Sequence, residues 1–207
     1  MKSCGSKVLI CVSIALCSLC GLPALANPAT PDPDLRAFLE RTINDASSFA
    51  DRFEAEVWLI DMEHRLKPLV ANRAQRFNIL RTAHQEAHRM ELPPELILAL
   101  IEVESAFDRF AVSRAGAQGL MQVMPFWKQE IGRPADNLTQ VETNLRYGTA
   151  ILAHYLKREN GNLHRALARY NGSLGKNWYP QRVFTTWRRR WYTGDLAIQT
   201  GAVTAGN

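Results

Sequence analysis

A pair of prolines followed by an apolar run constrains the fold of this chain more than any other feature. Pro93 and Pro94 open the stretch LPPELILALIEVES. Proline fixes φ and lacks an amide donor, which suits the first turn of a helix but not its interior. The stretch therefore predicts an apolar helix that begins at the prolines.

Glu104 lies at the end of this helix and continues its apolar face. Four residues mark that face at positions i, i+3, i+4 and i+7: Ile97, Leu100, Ile101 and Glu104. Glu102 lies about 200° round the helix axis and is predicted to be solvated. A carboxyl group among aliphatic side chains is hard to ionise, so its pKa rises, as a general acid near neutral pH requires. The alternative is that Glu104 only caps or pairs at the helix end.

A glycine-bearing loop follows the helix. Gly116 and Gly119 bracket a tight turn where the chain can adopt φ > 0 or approach a ligand closely. Gln122 is the polar residue of the short apolar element that comes next, and its amide can meet an amide or hydroxyl of a substrate. Further on, Tyr170 and Asn171 end a predicted helix. A phenol and an amide at that place can orient a sugar or steady an acid, or they can serve as a buried phenol and a helix C-cap.

The motif residues form an ordered set along the chain: Glu104-Ser105, Ser113, Gly116-Ala117, Gly119-Leu120-Met121-Gln122 and Tyr170-Asn171. This set resembles the catalytic domain of the family 1 lytic transglycosylases, the soluble-lytic-transglycosylase type related to goose-type lysozyme. The resemblance covers residues 75–193. It implies an all-α, lysozyme-like catalytic domain, here with an N-terminal helical extension.

The resemblance also implies a reaction and a set of roles. The reaction is cleavage of the β-1,4 bond between N-acetylmuramic acid and N-acetylglucosamine in peptidoglycan, with formation of 1,6-anhydromuramic ends. Glu104 is then the catalytic acid and afterwards the base. Six residues are expected to hold the acid or the sugars: Ser105, Ser113, Met121, Gln122, Tyr170 and Asn171. Nothing in the sequence calls for a metal or an organic cofactor.

The chain departs from the family pattern at two places that concern substrate contact. The family usually reads AYNAG where this chain has RYNGS, so the tyrosine and asparagine are retained. Family members often carry a tyrosine three residues beyond the glycine that matches Gly148, and this chain has Ile151 there. Tyr147 and Tyr155 are the nearby residues considered for its role.

Two other functions remain open from the sequence. A hydrolytic, goose-type-like lysozyme needs a second carboxylate, for which Asp108 is the nearest candidate after Glu104. Asp108 can instead cap a turn where the helix ends. A non-catalytic peptidoglycan-binding component of a secretion or envelope assembly needs no chemistry at all.

The N-terminus has the pattern of an export signal. Lys2 and Lys7 precede an apolar core, and Ala24-Leu25-Ala26 matches a small-x-small cleavage site. Residues 1–26 are therefore predicted to be a signal peptide that is removed after Ala26, which gives an exported protein of the periplasm or cell envelope. All four cysteines lie within this segment. Lipid attachment to Cys17 or Cys20 is the alternative, although a leucine precedes each.

The remaining chain divides by composition and periodicity. Residues 27–74 are predicted to be a proline-rich lead-in and a helical extension, and residues 194–207 a flexible tail. In the extension, a helix from about Phe49 to Lys67 is predicted, with Phe49, Phe53, Val57 and Ile60 on one face. Near the other end, Val183, Trp187 and Trp191 are spaced i, i+4 and i+8. This stripe is expected to dock the last helix on the core and to leave Arg188, Arg189 and Arg190 solvated.

Charge narrows the range of partners. The chain has 25 basic and 20 acidic residues, and removal of Lys2 and Lys7 with the signal leaves 23 and 20. This mild excess suits an anionic polymer such as peptidoglycan and is too small to argue for nucleic acid. No stretch after the signal approaches the ~20 apolar residues that span a bilayer. His84 and His88 have i, i+4 spacing but lack the H-E-x-x-H order of zinc peptidases. We expect a monomer.

Overall fold

The computed structural model describes residues 52–193, and this part of the chain is helical. Its elements are α1 (Arg52–Leu66), α2 (Arg73–Arg89), α3 (Pro94–Ser105), α4 (Trp127–Ile131), α5 (Val141–Arg158), α6 (Leu163–Tyr170), α7 (Trp178–Thr186) and a turn of π-helix (Trp187–Trp191). Within this range, extended pairing is limited to two isolated antiparallel bridges, from Val112 to Gln118 and from Gln118 to Val123. The predicted all-α fold is confirmed. The predicted signal peptide, the lead-in and the tail lie outside the described residues.

Helix α3 is the central element. Pro93 is its N-cap with φ −63°, as the proline pair predicted. Six consecutive residues, from Leu96 to Ile101, have no exposed surface. A helix that is apolar all round is covered on every side, and α3 packs against α2, α7 and the π-helical turn. The burial therefore extends beyond the single stripe that the spacing indicated, and it fixes the helix whose last turn carries Glu104.

The long helix α5 forms a second layer. It packs against α2 on one side and α6 on the other, and α6 in turn packs against α7. These contacts bring the loop between α3 and α5 and the end of α6 towards the last turn of α3. Among residues 52–193, no helix combines the length and apolarity needed to cross a membrane.

The apolar face that the residue spacing marked on α1 is exposed in the structure. Phe53, Val57 and Ile60 are 77%, 52% and 46% exposed. The side that packs on the core carries a second set at helical spacing: Ala55, Leu59, Met62 and Leu66. Both faces of α1 are apolar, and its contacts with α2 and the π-helical turn determine which one is covered. Phe49, which the same prediction included, lies outside the described residues.

The C-terminal stripe docks on the core as predicted. Val183 and Trp191 are fully buried, and Trp187 is 6% exposed. The predicted solvation of Glu102 was wrong: its side chain is 20% exposed, whereas that of Arg190 is 38% exposed. Glu102 Oε1 accepts a hydrogen bond from Arg190 Nε at 3.1 Å, and Glu102 Oε2 accepts one from the Trp191 indole at 2.8 Å. The π-helical turn covers this side of α3, so the carboxylate of Glu102 ties the two elements together.

Candidate active site

Glu104 lies in the last turn of α3 and is half-buried. The Tyr179 hydroxyl donates a hydrogen bond to Glu104 Oε1. Burial raises the pKa of Glu104 from 4.5 to about 7, against the opposing effects of the Tyr179 hydrogen bond and the Arg182 cation. A carboxyl group with this pKa is protonated in a large fraction of molecules near neutral pH, so it can give up a proton and take one back.

The backbone changes direction sharply after the acid. Ala106 caps α3 in the left-handed conformation with φ 50°, and Phe107 follows with φ 67°. Non-glycine residues adopt positive φ at a cost and only where the surroundings hold them there. Phe107 is 2% exposed and packs on the Trp191 ring with 5.6 Å between ring centroids. This packing holds the exit of the chain from α3, and with it the direction of the final helical turn.

Ser105 and Ser113 hydrogen-bond within the protein. The Ser105 hydroxyl donates to Leu120 O at 2.8 Å, which joins the end of α3 to the loop below it. Ser113 Oγ accepts the Ala117 amide at 3.0 Å and closes the turn between them. Both hydroxyls therefore shape the loop that faces the acid. Substrate contact by either residue stays a prediction.

Asn144, a buried residue of α5, holds the loop from the other side. Its Oδ1 accepts the Met121 amide at 2.7 Å, and its Nδ2 donates to Gln118 O and Leu138 O, each at 2.8 Å. All three bonds go to backbone atoms, so one side chain sets the path of the chain between Gln118 and Met121. Gly119 lies within the segment that Asn144 holds and has φ 74°. A Cβ at this position would come within 2.3 Å of Leu138 O.

Met121 has no exposed side-chain surface. Its thioether lies against the backbone of α5, where a Cβ on Gly148 would come within 2.5 Å of the sulfur. Met121 therefore packs in the core in this structure, and substrate contact by this residue stays a prediction. Its carbonyl oxygen accepts a hydrogen bond from the Tyr170 hydroxyl at 2.7 Å.

Gln122 is half-buried and has an unusual backbone, with φ 48°. Its Nε2 donates to Ala111 O at 3.1 Å and to Gly119 O at 3.0 Å. The amide nitrogen therefore braces the loop, and neither bond uses the side-chain carbonyl oxygen. That oxygen is the atom through which the predicted substrate contact of Gln122 would be made.

Tyr170 and Asn171 end α6 as predicted. Burial and the nearby Glu104 carboxyl raise the pKa of Tyr170 well above 10, so its phenol stays neutral beside the acid. Asn171 is the C-cap of α6, and its backbone amide donates to Leu167 O at 3.2 Å. The C-cap role was one of the two alternatives that the sequence left open, and a sugar contact by its side chain stays a prediction.

The structure also bears on the missing family tyrosine. Ile151 is 4% exposed and belongs to the core. The Tyr147 hydroxyl donates to Asp136 Oδ2 at 2.6 Å. Tyr155, one helical turn beyond Ile151, lies near enough to Tyr170 to oppose charge on its phenol. Of the two tyrosines considered, Tyr155 is therefore the one beside the site.

Sequence reasoning missed Tyr179, the residue that hydrogen-bonds the acid. It lies in the first turn of α7 and is 2% exposed. Burial raises its pKa well above 10, with further contributions from the Glu104 carboxyl. Seventy-five positions separate the two residues, and only the packing of α7 on α3 brings them together.

The family model for the transglycosylase SLT domain matches residues 81–185. The chain belongs to the transglycosylase SLT family. The matched range contains Glu104 and all six residues that the sequence singled out with it. The resemblance drawn from the motif residues is thereby confirmed.

Curated relatives of this SLT-family chain match about half of its length. Membrane-bound lytic murein transglycosylase C of Yersinia pestis (strain Pestoides F) is 31% identical over 128 residues, which cover 54% of this chain and 32% of the relative. The protein of the same name from Yersinia pseudotuberculosis serotype O:1b gives the same values. The chain thus spans about a third of the length of these relatives. Among solved structures, an inactive mutant of the lytic transglycosylase Slt from Pseudomonas aeruginosa aligns with a TM-score of 0.42 and 23% identity, over 78% of this chain and 34% of that one.

Proposed function

We propose that this SLT-family chain is a peptidoglycan lytic transglycosylase. It cleaves the β-1,4 bond between N-acetylmuramic acid and N-acetylglucosamine and leaves 1,6-anhydromuramic ends. The observation that carries the proposal is the state of Glu104, a half-buried acid with a pKa of about 7. Family membership and the names of the murein transglycosylase relatives support the substrate class.

The electrostatics of the site favour a reaction with one carboxylate. Within residues 52–193, the charged group that acts on the Glu104 pKa is the Arg182 cation, and no carboxylate does so. Glu104 first protonates the leaving glycosidic oxygen. As a carboxylate it then takes the proton of the muramic acid's own 6-hydroxyl, which attacks the reacting carbon and closes the anhydro ring. A tethered nucleophile reaches effective molarities up to ~10⁸ M and therefore competes with water.

The buried phenols suit this cycle. The Tyr179 hydroxyl donates to Glu104 and stabilises the carboxylate between the two proton transfers. Tyr170 and Tyr179 both have pKa values raised well above 10, so neither adds a negative charge beside the acid. We propose that the predicted residues act together with them: Ser105 and Ser113 through the shape of the loop, and Gln122, Tyr170 and Asn171 towards the sugars.

The two other functions have less support. The hydrolytic reading relied on Asp108, whose exposed carboxylate accepts the Phe110 amide at 2.9 Å in a turn. Asp108 therefore caps a turn, as the alternative for this residue predicted. The hydrolytic mechanism is then left without a carboxylate to activate water. A protein that only binds peptidoglycan does not need a carboxyl group whose pKa is raised by burial.

We also propose the location and the processing of the chain. The predicted signal peptide and the membrane-bound relatives support export to the cell envelope. Cleavage after Ala26 follows from the small-x-small pattern, and we propose that the mature protein is a monomer. N-terminal sequencing of the exported protein should begin at Asn27. An acylated Cys17 or Cys20 would show a lipoprotein instead.

Digestion of purified peptidoglycan with the mature protein tests the function. Mass spectra should be dominated by anhydromuramic ends, each lighter than its hydrolytic counterpart by one water molecule. The Glu104→Gln variant should release almost nothing, since general acid–base catalysis contributes roughly 10²–10⁴-fold. Glu102→Gln is the matched control two residues away and should stay active. Reducing muramic ends that carry oxygen from labelled water would identify a lysozyme.

A further inference from the structure

A cavity of about 520 Å³ opens beside Glu102, away from the acid. Its wall is formed by the end of α1, the last turn of α7, the π-helical turn and Glu102 of α3. Glu102 and Glu104 leave α3 about 200° apart around the helix axis, and they contact Trp191 and Tyr179 respectively. The cavity therefore lies on the other side of α3 from the active site, and the proposed reaction does not use it.

The wall of this cavity is positively charged. It contains three arginines, Arg65, Arg189 and Arg190, against the carboxylate of Glu102. Glu102 pairs with Arg190 at 3.1 Å, and Asp61, which lies outside the wall, pairs with Arg65 at 2.7 Å. Arg189 is exposed and forms no ion pair with any residue in the range 52–193. Its positive charge is therefore left without a counter-ion.

Hydrogen bonds hold the wall in place before any ligand binds. Arg65 Nη1 donates to Arg190 O at 2.7 Å and to Tyr192 O at 3.1 Å, which fixes the end of the π-helical turn against α1. The hydrogen bond from Arg190 to Glu102 uses Nε and leaves the terminal nitrogens of that guanidinium for an anion. A wall that is already ordered costs less conformational entropy when it binds.

The π-helical turn brings two of the arginines to the cavity together. Trp187 and Trp191 at its ends are both buried, and the wide turn between them bulges outward. Arg189 and Arg190 line the cavity, whereas the neighbouring Arg188, which is also exposed, does not. A π-helical turn is rare and is found frequently at functional sites. Its position here indicates that the paired arginines serve a ligand.

The side chains of the wall select a carboxylate or a phosphate. Guanidinium groups bind both anions through two parallel hydrogen bonds, and the hydroxyls of Thr185 and Thr186 add further donors. A cavity of this volume accepts a small molecule or a short stretch of peptide. Among residues 52–193, those in its wall include no large apolar side chain of the kind that inserts into a membrane. The concave, polar wall therefore favours a peptide carboxylate over a lipid surface.

We propose that the cavity between α1 and the π-helical turn binds a carboxylate of a peptidoglycan stem peptide, through Arg189 and Arg190. The inference rests on the proposed function for the identity of the polymer, and it adds a second point of contact with the cell wall. Because this cavity and Glu104 lie on different sides of α3, the bound peptide belongs to a stretch of polymer other than the one at the acid. The protein can then stay on the wall between cleavages.

The first test measures binding of the free peptide. A soluble stem tetrapeptide is titrated calorimetrically into the mature protein. Arg189→Ala should raise Kd about tenfold, the effect of losing a charge-assisted hydrogen bond. Arg189→Lys keeps the charge without the planar pair of donors and should give an intermediate Kd. Arg188→Ala removes the adjacent exposed arginine outside the cavity and should leave Kd unchanged.

Two further probes identify the source of the anion. Inorganic phosphate should bind more weakly than the tetrapeptide, and binding to phosphatidylglycerol vesicles should not depend on Arg189. Tighter binding of phosphate, or vesicle binding that Arg189→Ala abolishes, would overturn the assignment to a stem peptide. No tetrapeptide binding, or the same Kd in a folded Arg189→Ala protein as in its parent, would overturn the site itself.

The second test uses the polymer. The Glu104→Gln protein, which leaves the glycan uncut, is sedimented with intact peptidoglycan and with the same material after an amidase has removed its peptides. More protein should sediment with the intact polymer, and adding Arg189→Ala should remove this difference. Equal sedimentation with both polymers would contradict the proposal.

The two hypotheses fail in different ways. If the protein binds the tetrapeptide through Arg189 but leaves peptidoglycan uncut, the stem-peptide site stands and the proposed function falls. If the protein cuts peptidoglycan and does not bind the tetrapeptide, the proposed function stands and the site falls.

Discussion

Replacing the acid should stabilise the protein, and the size of the effect should depend on pH. Glu104→Gln keeps the size of the side chain and an oxygen that can accept the Tyr179 hydrogen bond. It removes the charge that burial opposes. The variant should therefore lose activity and gain stability together, because the same desolvation that prepares the acid also destabilises the folded state.

The sign and the magnitude follow from the pKa. Burial raises the pKa of Glu104 from 4.5 to about 7, so between these values the folded chain binds more protons than the unfolded chain. The free energy of unfolding consequently falls as pH rises through this window. The full rise in pKa corresponds to about 3 kcal/mol. The free energy of unfolding of Glu104→Gln should equal that of the parent protein at about pH 4. Above about pH 8 it should exceed that of the parent by up to about 3 kcal/mol.

Urea unfolding of the mature proteins at the two pH values measures this difference. Glu102→Gln is the matched control with the opposite sign. It loses the Arg190 ion pair, which is part-exposed, so near neutral pH it should be less stable by about 1 kcal/mol. A Glu104→Gln protein that is no more stable than its parent above about pH 8 would refute the assignment of Glu104 as a desolvated acid.

Three further predictions concern the surroundings of the acid. Tyr179→Phe removes a hydrogen bond that lowers the Glu104 pKa. The alkaline limb of the pH profile of kcat/KM should therefore move to higher pH by roughly 1–2 units. A limb that stays in place or moves to lower pH would contradict this. Asn144→Ala removes three hydrogen bonds to the loop backbone, two of them buried, and should cost about 3 kcal/mol in urea unfolding, with loss of activity. A stable, active variant would show that the loop keeps its shape without Asn144. Gly148→Ala should cost about 1–3 kcal/mol because the new methyl meets the Met121 side chain. The same change in a Met121→Ala background should cost less, because the sulfur and the terminal methyl are gone while the Cβ of residue 121 remains 2.7 Å from the new methyl. Equal costs in both backgrounds would exclude a clash with the thioether.

The sequence predicted the central helix and its acid because both have local signals. Proline at a helix start acts through φ and the missing donor, and Glu104 follows from a spacing of three and four residues. The C-terminal stripe of Trp187 and Trp191 is similar, since one face carries both indoles. Helix α1 shows the limit of this reasoning. Its two apolar faces satisfy the same spacing, and only the contacts of the folded chain decide that Leu59, not Phe53, is buried.

Partners of the acid that lie far along the chain could not be predicted. Tyr179 precedes the apolar stripe of the last helix and reads as an ordinary core tyrosine. Its role depends on the packing of α7 against α3. Asn144 likewise reads as a polar residue in an amphipathic helix, although it makes three hydrogen bonds to loop backbone. The hydrogen-bond partners of buried polar groups depend on how distant segments pack together, and the periodicity of the sequence does not reveal them.

The motif residues divide by what they hydrogen-bond, and this division says where substitutions should act. Ser105, Ser113 and the Gln122 amide nitrogen are bonded to the backbone of the chain. Changes to them should alter the shape of the loop, and so stability and activity together. Glu104 alone combines partial exposure with a pKa near neutrality, and its removal should separate the two quantities by raising stability as activity falls. If replacing Glu104 makes the protein more stable, the fold does not need this side chain. Its position next to Tyr179 is then explained by catalysis rather than by packing.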